Sequence, residues 1–168
     1  RSIVADFTTE EGRDLVRRLA MQSDVLIENF KLGGLRKYGL DYESLKAINP
    51  RLIYCSITGF GQDGPYAPRA GYDAIFQAMG GLMSVTGHMD GEPGAGPMKV
   101  GPSIVDYMTG MNTSIGILSA LYHRDVNGGG GQHIDVCLFD TVIASLSHYA
   151  QIFLVNGKSP PSRGTWGN

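Results

Sequence analysis

Two hydrophobic periods alternate along this chain of 168 residues. After Thr8-Thr9-Glu10-Glu11, which has the form of a capping box, Leu15, Val16 and Leu19 recur at helical spacing and predict an amphipathic helix. Val25-Leu26-Ile27-Glu28 and Leu52-Ile53-Tyr54-Cys55-Ser56-Ile57 lack polar alternation, as expected of parallel strands covered on both faces. Between them, residues 42–48 form a short predicted helix that stops before Asn49-Pro50. Helical spacing returns over 72–83, 103–124 and 139–155, with a third strand at 132–137. The longest of these helices should bury Val105, Met108, Ile115, Leu118 and Tyr122.

Strands alternating with helices imply an α/β fold, a parallel sheet with helices on its faces. Residues 58–71 and 87–102 are rich in Gly and Pro and read as long loops, which are more often functional than idle. The glycine tract ending at Gly131 suits a tight turn between helix and strand.

Composition narrows the function classes. Hydrophobic residues make up 42% and charged residues 18%, as in an ordinary globular protein, and the net charge of -2 without a basic run offers nothing to nucleic acid. Apolar runs are too short to span a bilayer and no secretory core opens the chain. Cys55 and Cys137 sit in strand-like apolar runs and read as reduced core residues, from which a cytoplasmic or organelle-matrix setting is expected. Glycine, at 24 residues, is well above the usual share of about 7%.

Gly59-Phe60-Gly61-Gln62-Asp63-Gly64 has dinucleotide-fingerprint spacing, but Pro65 and Pro68 follow at once and no acidic residue stands about twenty positions on. It reads as a decoy. His88, His123, His133 and His148 have no metal-ligand spacing, and no GxSxG elbow is present. Among the carboxylates, Asp106 stands out: it falls in the first turn of a long helix, with Gly110 four residues on, so open space should lie over it. Spacing alone leaves two readings, a first-turn Asp stabilised by the helix dipole or a working carboxylate.

Ser23-Asp24-Val25-Leu26-Ile27-Glu28-Asn29-Phe30-Lys31 resembles the ADVLIENFRPG signature of the class III CoA-transferases, the formyl-CoA transferase and carnitine CoA-transferase family. The 38–45, 49–61 and 69–73 blocks, Gly81-Leu82-Met83, the 106–110 block and the run 129–136 resemble the family's later blocks in order, so the resemblance covers essentially the whole chain. It implies a Rossmann-like parallel sheet with helices on both faces, residues 1–157 forming part of a large domain and 158–168 the start of a linker to a small one. The remaining segments, including a glycine loop that shields the intermediate, are expected to lie outside this chain, and the fragment alone is expected to be inactive.

The resemblance also implies a chemistry: transfer of CoA between carboxylic acids, with acyl-CoA and a small acid as substrates and no permanently bound cofactor or metal. Asp106 matches the family's catalytic aspartate, which passes through an acyl anhydride and an aspartyl-CoA thioester. Asn29, Phe30, Lys31, Lys37 and Tyr72 match CoA-contacting positions, with Lys37 where arginine is usual. Leu32 stands where proline is usual and Thr8 where many members carry lysine. Family members form interlocked homodimers. Two alternatives are an α-methylacyl-CoA racemase, whose catalytic histidine would align with Tyr72, and a CoA-binding module without turnover. A tyrosine phenol cannot serve as a base near neutral pH, which favours the transferase. Runs such as Cys55-Ser56-Ile57-Thr58-Gly59 look closest to the succinyl-CoA:dicarboxylate (glutarate) branch.

Overall fold

The computed structural model describes residues 1–159, so the linker read into the end of the chain lies almost wholly outside the described residues. Three strands, β1 (Val25–Glu28), β2 (Ile53–Thr58) and β3 (His133–Cys137), form a parallel sheet in the order β1-β2-β3. Central β2 buries Ile53, Tyr54, Cys55 and Ser56 almost completely. Tyr54 pairs in register with Leu26 on one side and His133 on the other.

Helices cover both faces. On one face Leu26 and Tyr54 pack with Ala20 of α1 (Glu10–Met21), with Leu35 and Leu40, and with Leu45 of α2 (Tyr42–Ile48). A single 3-10 turn, Arg36–Tyr38, links β1 to α2. The other face of β2 and β3 lies against α5 (Ile104–Val126). A second core joins Phe76 of α3 (Asp73–Met79), Val105 of α5 and Val142 of α6 (Leu138–Ser145), with Leu82 of α4 (Leu82–Val85) at its side. Each fully buried side chain of this size contributes about 1.5–3 kcal/mol. The chain closes with α7 (His148–Asn156).

At the amino ends of the strands, Arg124 from the last turn of α5 is buried and anchors several segments. It donates to Asp24 Oδ1 at 2.8 Å, Asp125 Oδ1 at 2.8 Å and the Arg51 carbonyl at 3.0 Å. Asp24 immediately precedes β1, and Arg51 lies just ahead of β2, so this one side chain ties α5 to both strands. The tight turn ends at Gly131, where a Cβ would stand 2.2 Å from the Leu52 carbonyl oxygen, so only glycine lets the chain enter β3 beside β2.

Several expectations are corrected. Thr9 rather than Thr8 caps α1, accepting from the Gly12 amide at 3.1 Å, so the third helical position holds glycine and the box has no reciprocal arm. α1 buries Gly12 and Ala20, with Val16 partly buried against the core, and Leu19 is exposed. β1 is an edge strand whose Ile27 is 56% exposed, because no helix covers that side among the described residues. The predicted 72–83 helix breaks at Gly80-Gly81, where Gly81 takes φ 88°. The predicted 139–155 helix divides into α6 and α7, bent by 79° around Ser147.

The stripe of α5 is the largest correction. Val105, Thr109, Thr113, Ala120 and Arg124 are buried, whereas Ile115, Leu118 and Tyr122 are each more than 60% exposed. Small and hydroxyl-bearing residues let this helix approach closely, with Thr109 returning its hydroxyl to the Val105 carbonyl at 2.7 Å. The expected thiol character stands: Cys55 and Cys137 are free and buried, and burial pushes each thiol up to about 11. Among the described residues no single helix is long and apolar enough to cross a membrane; only the bent α6–α7 pair has that length and composition together.

Arg124→Ala should lower the stability of the full-length protein by about 2–3 kcal/mol in urea unfolding, the range for hydrogen bonds to charged groups. Asp125→Asn, altering a half-exposed partner, should cost under about 1 kcal/mol. A wild-type midpoint for Arg124→Ala would show that the strand ends hold without the anchor.

Candidate functional site

The carboxyl ends of β1 and β2 open into loops that face the first turn of α5, the position where α/β sheets bind ligands. After β1 the chain turns because the Phe30 amide donates to Glu28 Oε2 at 2.8 Å. That turn brings the Phe30 ring edge-on to Phe7, at 5.6 Å between centroids, and leaves it 46% exposed. After β2 the 59–71 loop crosses the sheet edge. Gly61 and Gly64 adopt left-handed conformations, and no helix begins until Asp73. The fingerprint-like glycines therefore present no helix N-terminus to an anion.

These loops and α5 enclose a cavity of about 490 Å³ lined by Asn29, Phe30, Lys31, Arg69, Tyr72 and Asp106, among others. Five of the six residues singled out in the sequence thus meet. Lys37 does not join them: it is exposed, with Nζ 4.7 Å over the Tyr38 ring. Phe30 and Lys31 also wall a neighbouring cavity of about 450 Å³, into which Arg36 rather than Lys37 contributes. Tyr72 is 87% exposed. Sequence reasoning passed over Arg69, whose guanidinium lies 4.3 Å over the Tyr66 ring, and gave Asp73 no role of its own.

Asp106 is the third residue of α5, and Ser103 at the N-cap makes no side-chain cap. The cap comes instead from another element. Asp73, 5% exposed, accepts the Val105 amide at 2.8 Å and the Asp106 amide at 3.4 Å on Oδ2. Among the described residues no donor meets the Asp106 carboxylate. One turn on, a Cβ at Gly110 would find nothing within 4 Å, and Asp106 and Gly110 also border a shallow hollow on the other side with Tyr107 and Met111. The Asp106 carboxyl is held above the ordinary carboxylate range, first by partial desolvation at the cavity rim and then by the negative charge of Asp73. Among the described residues no three His, Cys, Asp or Glu side chains are grouped to hold a metal ion.

A raised carboxyl pKa has a defined sign in stability. The folded state disfavours the ionised form, so above the ordinary value of 3.8 ionised Asp106 destabilises the fold, and below it the penalty vanishes. Asp106→Asn should therefore raise Tm at pH 7 and lose that advantage as pH falls through 3.8. Scanning calorimetry across pH checks this, and a Tm lowered at pH 7 would contradict it.

The family model described as CoA-transferase family III matches residues 1–167. The chain is 54% identical over 160 residues to a succinate–glutarate CoA-transferase of Agrobacterium fabrum, covering 95% of this chain and 39% of that protein. It is 43% identical over 163 residues to an acetyl-CoA:oxalate CoA-transferase of Acetobacter aceti, covering 97% and 41%. The crystal structure of a CAIB/BAIF family protein from Brucella suis superposes with a TM-score of 0.89 at 61% identity, covering 95% of this chain and 41% of that one. The chain thus spans about two fifths of the length of these relatives. With three parallel strands, helices on both faces and the family's blocks in order, this chain belongs to CoA-transferase family III.

Proposed function

We propose that the full-length protein transfers CoA between carboxylic acids, with Asp106 as the nucleophile. One observation carries the reading: an unpartnered carboxylate at a helix start faces a cavity shared with Asn29, Phe30 and Lys31. An Asp106 oxygen attacks the thioester carbonyl, the C–S bond breaks, and CoA thiolate leaves a mixed anhydride. The thiolate then attacks the Asp106 carbonyl carbon, releasing the donor acid and forming an aspartyl-CoA thioester. The acceptor carboxylate reverses both steps, ending as the new thioester with Asp106 free. Every step exchanges one acyl bond for another, so no external oxidant or base is consumed.

Asn29, Phe30 and Lys31 hold CoA, the ring stacking on adenine and the ammonium meeting phosphate. Tyr72 borders the acyl group, while Lys37 serves CoA only through a side-chain movement away from Tyr38. Short dicarboxylates are the favoured acids, on the strength of the relative from Agrobacterium fabrum and of a second cation, Arg69, in the cavity beside the CoA-holding Lys31. Residues 1–157 would be part of a large domain and 158–168 the entry to a second, in a cytoplasmic homodimer that uses CoA as substrate rather than as a resident cofactor. The segment is expected to be inactive by itself, because the rest of the relatives' length would supply the remaining walls of the site.

Full-length protein incubated with succinyl-CoA and then hydroxylamine should carry a hydroxamate on Asp106, detected by peptide mass. Asp106→Ala should show none and lose about 10³-fold or more in kcat. Unimpaired CoA transfer by that variant would exclude the mechanism. A racemase would instead incorporate deuterium at Cα of a 2-methylacyl-CoA without acid exchange, and a binding module would retain CoA and do neither.

A further inference from the structure

We propose that Asp73 is a positioning residue for Asp106: by capping α5 from outside at the Val105 and Asp106 amides, it fixes the first turn of the helix and so where the Asp106 carboxylate stands for the thioester. The proposal rests on the nucleophile reading above. The first amides of a helix have no partner within it, and a group that satisfies them fixes where the helix begins. The Val105 and Asp106 amides are taken by Asp73 Oδ2, at 2.8 and 3.4 Å, so the residue that carries the reacting carboxylate is itself tied to Asp73 through its backbone.

Asp73 is itself held. Its Oδ1 accepts from Gln77 Nε2 at 2.5 Å, and Gln77, wholly buried, accepts the Val100 amide on Oε1 at 2.9 Å. The four-residue spacing places Asp73 and Gln77 on one face of α3. The network therefore joins α3, the loop at Val100 and the first turn of α5. Among the described residues no cation is paired with the Asp73 carboxylate; its partners are an amide side chain and two backbone amides, so its negative charge bears on Asp106 without being cancelled. That charge adds to desolvation in raising the Asp106 carboxyl.

The other charged or titratable groups facing Asp106 are Lys31 from the loop after β1, Arg69 and Tyr72 from the loop before α3, and Tyr107 on α5 itself. The raised Asp106 carboxyl has two causes, desolvation and the charge of Asp73, and neither cation contributes. Replacing Asp73 by a neutral residue therefore shifts the balance in one direction, toward a more acidic and less nucleophilic Asp106.

The test uses full-length protein with succinyl-CoA and glutarate. Asp73→Asn keeps the size and one acceptor oxygen but removes the charge; Asp73→Ala also frees both amides. For Asp73→Asn, kcat should fall about 10-fold and the acid limb of the pH–kcat profile should move to lower pH, with KM for succinyl-CoA within about 2-fold of wild type. For Asp73→Ala, kcat should fall about 10²-fold, the loss expected when a reacting group is displaced by ~1 Å. Should the Ala variant fail to fold, Asp73→Asn decides alone. Wild-type kcat in Asp73→Asn, or a loss of kcat with the acid limb unmoved, overturns the positioning role. Asp106→Ala run in parallel separates the two claims: if it still exchanges CoA, the nucleophile reading falls and this proposal with it. If it is inactive while the Asp73 variants behave as wild type, only the positioning role falls.

Discussion

The amides at the start of α5 have no partner within their own helix, and the buried Asp73 carboxylate supplies one from α3. Much of the site follows from that contact. It fixes where α5 begins relative to the carboxyl ends of β1 and β2, and so where Asp106 stands. It also commits Gln77, because the other oxygen of Asp73 would be buried without a donor, and Gln77 in turn takes the Val100 amide. Leaving any one of these buried groups unpaired would cost about 1–3 kcal/mol, which binds the loop, α3 and α5 into one body.

α5 is pinned at both ends by different physics. At its far end the Arg124 guanidinium spreads three hydrogen-bonding directions over Asp24, Asp125 and the Arg51 carbonyl, locking the helix to the amino ends of two strands. At its near end neutral amides meet a carboxylate. Between them the contact with the sheet is made of small residues, so the helix lies close and its registration tolerates little movement. A helix held this way carries the Asp106 carboxylate on a rigid support, which suits the nucleophile proposed for it.

The outward side of α5 tells the complementary story. Tyr107, Met111, Ile115, Leu118, Tyr122 and Val126 form an apolar stripe of large, exposed side chains along its length. The chain spans about two fifths of its relatives. An exposed apolar strip of that extent is a surface that proteins ordinarily cover. This explains why periodicity misassigned it: the sequence pattern records every apolar face, whichever element covers it.

Several features were legible in the residues. The strands, α2 and the long loops follow from local pattern, because runs such as Leu52 to Ile57 can be satisfied only inside a sheet, and Asn49-Pro50 must end a helix. The family blocks singled out Asp106, Asn29, Phe30, Lys31 and Tyr72 as candidates, and these five line one cavity. Gly110 indicated open space above Asp106 from spacing alone, since a missing Cβ is a local fact. Tertiary structure decided the rest. It alone shows that Asp73, thirty-three positions away, caps the helix that carries Asp106, and that Lys37 stands apart while Arg69 lines the cavity. It alone chose which stripe of α5 is buried, because that depends on how near two elements can approach. Local sequence determines periodicity and turn chemistry; which distant group satisfies a given amide, and which cation faces a cavity, depends on the packing of segments far apart in the chain.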